Sequence, residues 1–408
     1  MMRMRVAWLA VVACALAAPC GAAEPDLYLR PAAVAGSFYP AGKAELQAAV
    51  QKSLQAAQPP AVPGEIKIVI VPHAGYVYSA DTAAYAFKAL QSAKNIKTVL
   101  LMGSPHQAPV REISVWPQGA YRTPLGDAAI DSEVAGRIIR YTGAIFNRDA
   151  HLREHSLEVE VPFLQTIFPG ASIVPMLVYP TTTTQLDRIA NAVAAELHKD
   201  GVVLVVSTDL SHYPPTAEAA QKIDRATLDS IKTLDASRVL AVSDQQLGLR
   251  SEGLSCTLCA LRAVAIALQA GRSIGVNKCV ELHYSNSAAK AGPGRVVGYG
   301  ALAFSRERDE DLAALLAAPE QPPAPAKLTP ESRQTLLKIA EVSVRAALAG
   351  KDYTPEKPAS PELLSKAGCF VTLKTNGQLR GCLGRFDADK PMYEAVAVMA
   401  RASALDDP

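Results

Sequence analysis

Between residues 29 and 304 the chain alternates two hydrophobic rhythms. Runs at 66–71, 98–102, 172–178, 202–207 and 296–304 are close to continuously apolar, the mark of strands buried on both faces. Between them, 44–57, 81–91, 132–141, 186–198 and 217–231 place apolar residues at helical spacing. The alternation predicts an α/β sandwich around a mostly parallel or mixed sheet. No repeat at solenoid spacing interrupts it, and no phosphate-binding glycine loop opens a helix after a strand.

The rhythm changes at both ends. Arg3 and Arg5 precede an apolar run over 6–18, small residues up to Ala23 and the polar Glu24-Pro25-Asp26. That order predicts a secretory leader over 1–23, cleaved after Ala23, and export, to the periplasm if the source is a Gram-negative bacterium. The run is short for a membrane span of ~20 residues, and Pro19 makes Cys20 a poor lipoprotein site. No second segment of sufficient apolar length follows, so no stable membrane insertion is expected after cleavage. The first domain is expected over 29–306, and a linker over 307–328 contains Pro319, Pro322, Pro323 and Pro325. A second unit over 329–408 opens on Thr329-Pro330-Glu331, which reads as N-cap, first-turn proline and first-turn acid. Leu336, Ala340, Val344 and Leu348 continue that helix and Gly350 stops it. Segments 370–374 and 378–383 flank Asn376-Gly377, a two-residue hairpin turn, and a last helix is expected over 391–405. One hairpin and two helices make a thin core, the pattern of a partial α+β domain.

Composition agrees with this layout and excludes some functions. A length of 408 residues fits two to three domains of about 150 each. With 49% hydrophobic and 20% charged residues, neither disorder nor a fibrous class is credible. Forty-one Lys and Arg against 39 Asp and Glu leave no basic excess for a nucleic acid. Seven cysteines are too few for a disulfide scaffold; Cys14 and Cys20 leave with the leader, and five remain.

The ionisable residues carry the chemistry. Three of the buried runs end in Val71-Pro72-His73, Met102-Gly103-Ser104-Pro105-His106 and Ser207-Thr208-Asp209-Leu210-Ser211-His212. Ligands bind at the carboxyl edge of open α/β sheets, so three segments can converge there. One such histidine would be read as a satisfied loop residue; three of the chain's seven favour a functional cluster. Ser255 reads as an N-cap for the helix that covers 260–269, which puts Cys256 in a first turn that favours a thiolate. A thiolate beside neutral imidazoles suits zinc, iron or copper. The Cys256/Cys259 spacing also fits thiol–disulfide exchange or two buried small hydrophobes. His151 and His155, four apart among Glu154, Glu158 and Glu160, would share a helix face. The alternative is a solvated acidic helix with one histidine turned to the site. His198 reads as a capping or surface residue, and His283 has no clear assignment.

These stretches resemble a known family. Ala35-Gly-Ser-Phe-Tyr39, Val71-Pro-His-Ala-Gly-Tyr76, Gly103-Ser-Pro-His106, Glu154-His-Ser-Leu-Glu158, Ser207-Thr-Asp-Leu-Ser-His212 and Gly298-Tyr-Gly-Ala-Leu302 are similar, in order, to motifs of the Memo-like family, AmmeMemoRadiSam system protein B. Leu379-Arg380-Gly381-Cys382-Leu383-Gly384 resembles the start of the AMMECR-type domain, system protein A, here truncated. The Memo-like fold is similar to LigB-type class III extradiol dioxygenases. The resemblance implies non-haem Fe(II) or copper held by His73, His106 and Cys256, with His212 as acid/base, Asp209 beside it and His155 as a supporting or substrate contact. Glu252 is the carboxylate nearest to Cys256 in sequence, without motif support. In the second unit Cys382, beside Arg380, is either a nucleophile or a buried structural cysteine. The implied function is a metal-dependent oxidoreductase with a radical-SAM protein as partner and a small-molecule or peptide substrate. The alternative is a non-catalytic protein whose dioxygenase-like cleft binds a peptide, a modified residue or a metal ion.

Overall fold

The structure, a computed structural model, describes residues 28–292, 294–307, 328–375, 378–385 and 390–405. The expected leader at 1–23, nearly all of the expected linker and the expected Asn376-Gly377 turn lie outside them. The chain divides into two compact units, 1–308 and 309–408.

The first unit contains the strands β1 (Leu29–Arg30), β2 (Glu65–Val71), β3 (Thr98–Gly103), β4 (Glu112–Val115), β5 (Ala120–Thr123), β6 (Gly126–Ala129), β7 (Ser172–Tyr179), β8 (Val202–Ser207), β9 (Lys278–Asn286) and β10 (Gly298–Arg306). Seven of them form a mixed sheet in the order β4-β7-β3-β8-β2-β10-β9. The inner four, β7, β3, β8 and β2, are parallel, and antiparallel pairings extend the sheet on either side of them. All six positions of β3 and of β8 are buried, as their unbroken apolar runs require. Helices such as Tyr76–Leu90, Thr183–Leu197 and Leu261–Ser273 close around the sheet with alanine-rich buried faces. Each large aliphatic side chain enclosed there contributes about 1.5–3 kcal/mol.

β4 and β9 were not expected from the sequence. Both are edge strands, one only four residues long and the other rich in polar residues, so neither shows a buried run. The helix Ala236–Gly248 was also unexpected; only Val239 and Ser243 along it are buried, too sparse for an apolar stripe.

The segment after β1 is fastened by charge. Arg30, fully buried, pairs with Glu158 and donates to the carbonyls of His151 at 2.9 Å and Glu154 at 2.6 Å. Glu158 also accepts from the Tyr39 hydroxyl and from the backbone N–H groups of Ala33 at 2.8 Å and Val34 at 3.0 Å. The 154–160 stretch is therefore interior rather than a solvated acidic helix. His151 and His155 lie on separate short helices, Arg148–Leu152 and His155–Glu158, and do not share a face.

The second unit holds the helix Pro330–Leu348, capped by the Thr329 side chain, the hairpin Cys369–Thr375 with Gln378–Arg385, and the helix Met392–Leu405. Ile339, Leu363, Val371, Tyr393 and Ala400 form its small core. Leu348, expected to be part of the first helix's stripe, is exposed. Among the described helices none is long and apolar enough to cross a membrane.

Candidate metal centre

Three adjacent parallel strands, β3, β8 and β2, end at one edge and deliver His106, Asp209 with His212, and His73 there. The short helix His155–Glu158 closes over them. It approaches because β3 ends in Gly103: a Cβ there would lie 3.0 Å from Leu157 Cδ2 and 3.1 Å from Ser156 Oγ. Ring centroids are 5.1 Å apart for His73 and His106, 5.3 Å for His73 and His155, and 4.8 Å for His106 and His155. One nitrogen from each of the three lies within 4.8 Å of the others.

Each ring is aimed by the groups behind it. His73 turns Nδ1 to Ser207 Oγ at 2.7 Å, leaving Nε2 for the site, while its backbone N–H donates to Asp209 Oδ1 at 2.8 Å. Glu154 holds His106 twice, through the backbone N–H at 2.6 Å and through Nδ1 at 2.9 Å. This pattern, with the second ring nitrogen held by a carboxylate or hydroxyl, orients metal-binding histidines. Phe38 packs on the His155 ring at 4.9 Å.

The sulfur facing these rings belongs to Cys259. Its Sγ lies 3.2 Å from His73 Nε2 and accepts the Asp209 backbone N–H at 3.1 Å. The sequence points to Cys256 as the thiol of the cluster; the structure puts the Cys259 sulfur, not that of Cys256, against His73. The helix starts at Leu261 after an Ala260 N-cap, not at Ser255, so Cys259 is the residue that precedes the cap. Cys256 instead accepts the His212 N–H through its carbonyl at 3.0 Å, in a short antiparallel bridge. Both cysteines are free thiols. Glu252 is exposed and lines a separate groove.

Charge is distributed unevenly over the cluster. Burial opposes ionisation of the Cys259 thiol, but His73, His106 and His212 hold it well below the usual thiol range. Burial likewise opposes charge on His73 and His106; Cys259 with Asp209 pushes the first up to about 9, and Cys259 with Glu154 pushes the second up to about 10. His155 goes the other way, to about 4, because it is buried beside the His73 charge. For His212 burial is outweighed by Asp209, Cys256 and Cys259, and its pKa rises steeply. Its Nε2 is buried with no hydrogen-bond partner among the described residues; Asp209 Oδ2 stands 3.8 Å away. The three grouped imidazoles, with the Cys259 sulfur beside His73, are donors of the kind that suit a soft or borderline metal ion.

The remaining candidates lie elsewhere. His151 is sealed between Tyr121 and Ser114 at 2.7 and 3.1 Å, and burial drives it down to about 3. His198 caps the helix Thr183–Leu197. His283 stacks on Tyr85 at 4.2 Å. Arg380 is exposed in the hairpin, and the Cys382 side chain is outside what the structure describes. Ser207, Glu154 and Glu160 were missed as supporting groups; the continuation of a buried strand into a serine was the one available signal.

Known proteins match in the same two blocks. The family described as Memo-like protein covers residues 30–303, and AMMECR1 covers 337–408. A MEMO1 family protein of Methanothermobacter thermautotrophicus is 34% identical over 284 residues, 67% of this chain and 99% of that protein. One from Aeropyrum pernix is 35% identical over 287 residues, with the same coverage. A solved structure of an uncharacterized protein from Escherichia coli K12 overlays with a TM-score of 0.40 and 12% identity, over 58% of this chain and 99% of that one. The chain belongs to the Memo-like family, and an AMMECR1 segment follows its Memo domain.

Proposed function

We propose that the protein is a metal-dependent oxidoreductase whose ion is held by His73, His106 and Cys259. The contact between the Cys259 sulfur and His73 Nε2, within a cluster of three histidines at the sheet edge, carries this reading. A reduced iron or copper ion would supply dioxygen binding and one-electron chemistry. His155, kept neutral by burial, offers a further nitrogen donor or a contact for a substrate. His212 holds a proton at Nε2, and Asp209 stabilises its charge. Phe38 packs against the His155 ring on one side of the site. The two family blocks in one chain support a place in the AmmeMemoRadiSam system, with a radical-SAM protein as partner. The leader over 1–23 supports export to the periplasm; a mature N-terminus at Met1 in the native host would remove that part.

Metal content of the anaerobically purified protein tests the assignment. Wild type is expected to carry about one ion per chain. His73→Ala and His106→Ala should each lose it. Wild type without stoichiometric metal would sink the oxidoreductase and leave the cleft to a peptide or a modified residue.

A second prediction concerns protons. Below pH 9 the metal-free site holds imidazolium on His73 and His106 against the Cys259 thiolate, so a metal must displace those protons. Affinity should rise as pH increases towards 9, with about two protons released per ion at neutral pH. Calorimetry in buffers of different ionisation enthalpy counts them. No release would contradict the imidazolium–thiolate arrangement.

A further inference from the structure

Glu160 is buried at 1% exposure, one position before the helix Val161–Ile167, and takes part in no ion pair with lysine or arginine among the described residues. Its Oε1 lies 3.0 Å from Ser207 Oγ. The same serine oxygen lies 2.7 Å from His73 Nδ1 and 2.7 Å from the carbonyl oxygen of Ser156.

A hydroxyl has one hydrogen to give and two lone pairs to fill. The Ser156 carbonyl can only accept, so it takes the serine hydrogen. His73 Nδ1 and Glu160 must then both donate to Ser207 Oγ. We propose that Glu160 is a neutral carboxylic acid whose O–H, through Ser207, holds one proton of His73 on Nδ1, so that the proton an incoming ion displaces is the one on Nε2.

The surroundings favour the acid form. Burial pushes the Glu160 carboxyl up to about 8; the His73 charge and the Ser207 contact oppose this, and the Asp209 carboxylate adds to it. The other titratable group facing it is the buried Tyr76 phenol, whose hydroxyl donates to the Val159 carbonyl at 2.8 Å. Glu160 is thus a positioning residue for His73. The protonation state stands on the hydrogen count alone, while its consequence for metal rests on the ligand set proposed above.

Infrared spectroscopy of the metal-free protein tests the first part. Wild type at neutral pH should show a carboxylic-acid carbonyl band that is absent in Glu160→Gln and that fades in wild type as pH passes about 8. Absence of the band, or its persistence in Glu160→Gln, overturns the proposal. Co(II) affinity, read from its absorption bands, tests the second. Glu160→Gln keeps a donor to Ser207 and should bind within about 3-fold of wild type, whereas Glu160→Leu should lose about 10- to 100-fold. A Glu160→Gln loss as large as that of Glu160→Leu would mean that negative charge is what matters, and the proposal fails. If wild type binds no Co(II), the metal reading falls while the infrared band still decides the state of Glu160.

Discussion

Cys259→Ser is expected to strip the site of stoichiometric metal and weaken binding by more than about 100-fold, whereas Cys256→Ser retains it. Losing a group that merely supports a ligand already costs about 10- to 100-fold, and Cys259 presents its sulfur directly to His73. A serine hydroxyl does not ionise at neutral pH and is a poor donor to a soft ion, so size is conserved while chemistry is lost. Cys256 meets the cluster from the His212 side, through its backbone bridge and through its side chain, and not at His73. Chelator competition with both variants gives the ranking. The reverse order would return the ligand role to Cys256 and invalidate the geometry built around Cys259.

Arg30→Ala is expected to destabilise the first unit by about 3–5 kcal/mol, the usual result of leaving one member of a buried ion pair uncompensated. Glu158 would keep its Tyr39, Ala33 and Val34 hydrogen bonds but lose the cation that balances its charge in the interior. The carbonyls of His151 and Glu154 would lose a donor as well. Replacing both partners with apolar residues should recover much of the loss, since removing a buried pair together is often neutral. Urea denaturation of the full chain, followed on the first unit's transition, measures this. A cost below about 1 kcal/mol would show that solvent reaches the pair.

The central strands and the histidines after them could be read from sequence because burial on both faces leaves an unbroken apolar run, and the residues just past such a run fall at the sheet edge. The strand at 202–207 matches its expected limits at both ends, and that at 172–178 is one residue longer. Selection between Cys256 and Cys259 could not be read, because it depends on a helix start, and Ser255 offered a false cap. The carboxylates were misjudged for a different reason. Glu154, Glu158 and Glu160 look like surface charge, yet each is buried with its own partner: His106, Arg30 and Ser207. Those partners are 48, 128 and 47 residues away, beyond the reach of any local pattern.

The strand order has a consequence for how the protein is made. β2 and β3 are consecutive in the chain but are not neighbours; β8, synthesised about a hundred residues later, fills the gap between them. A nascent chain that ends before β8 already carries His73 and His106 but has nothing to hold them at their working distance, and Cys259 is still to come. The site is therefore among the last parts of the domain to assemble, and the ion proposed for it would be captured specifically only by a polypeptide that has finished folding.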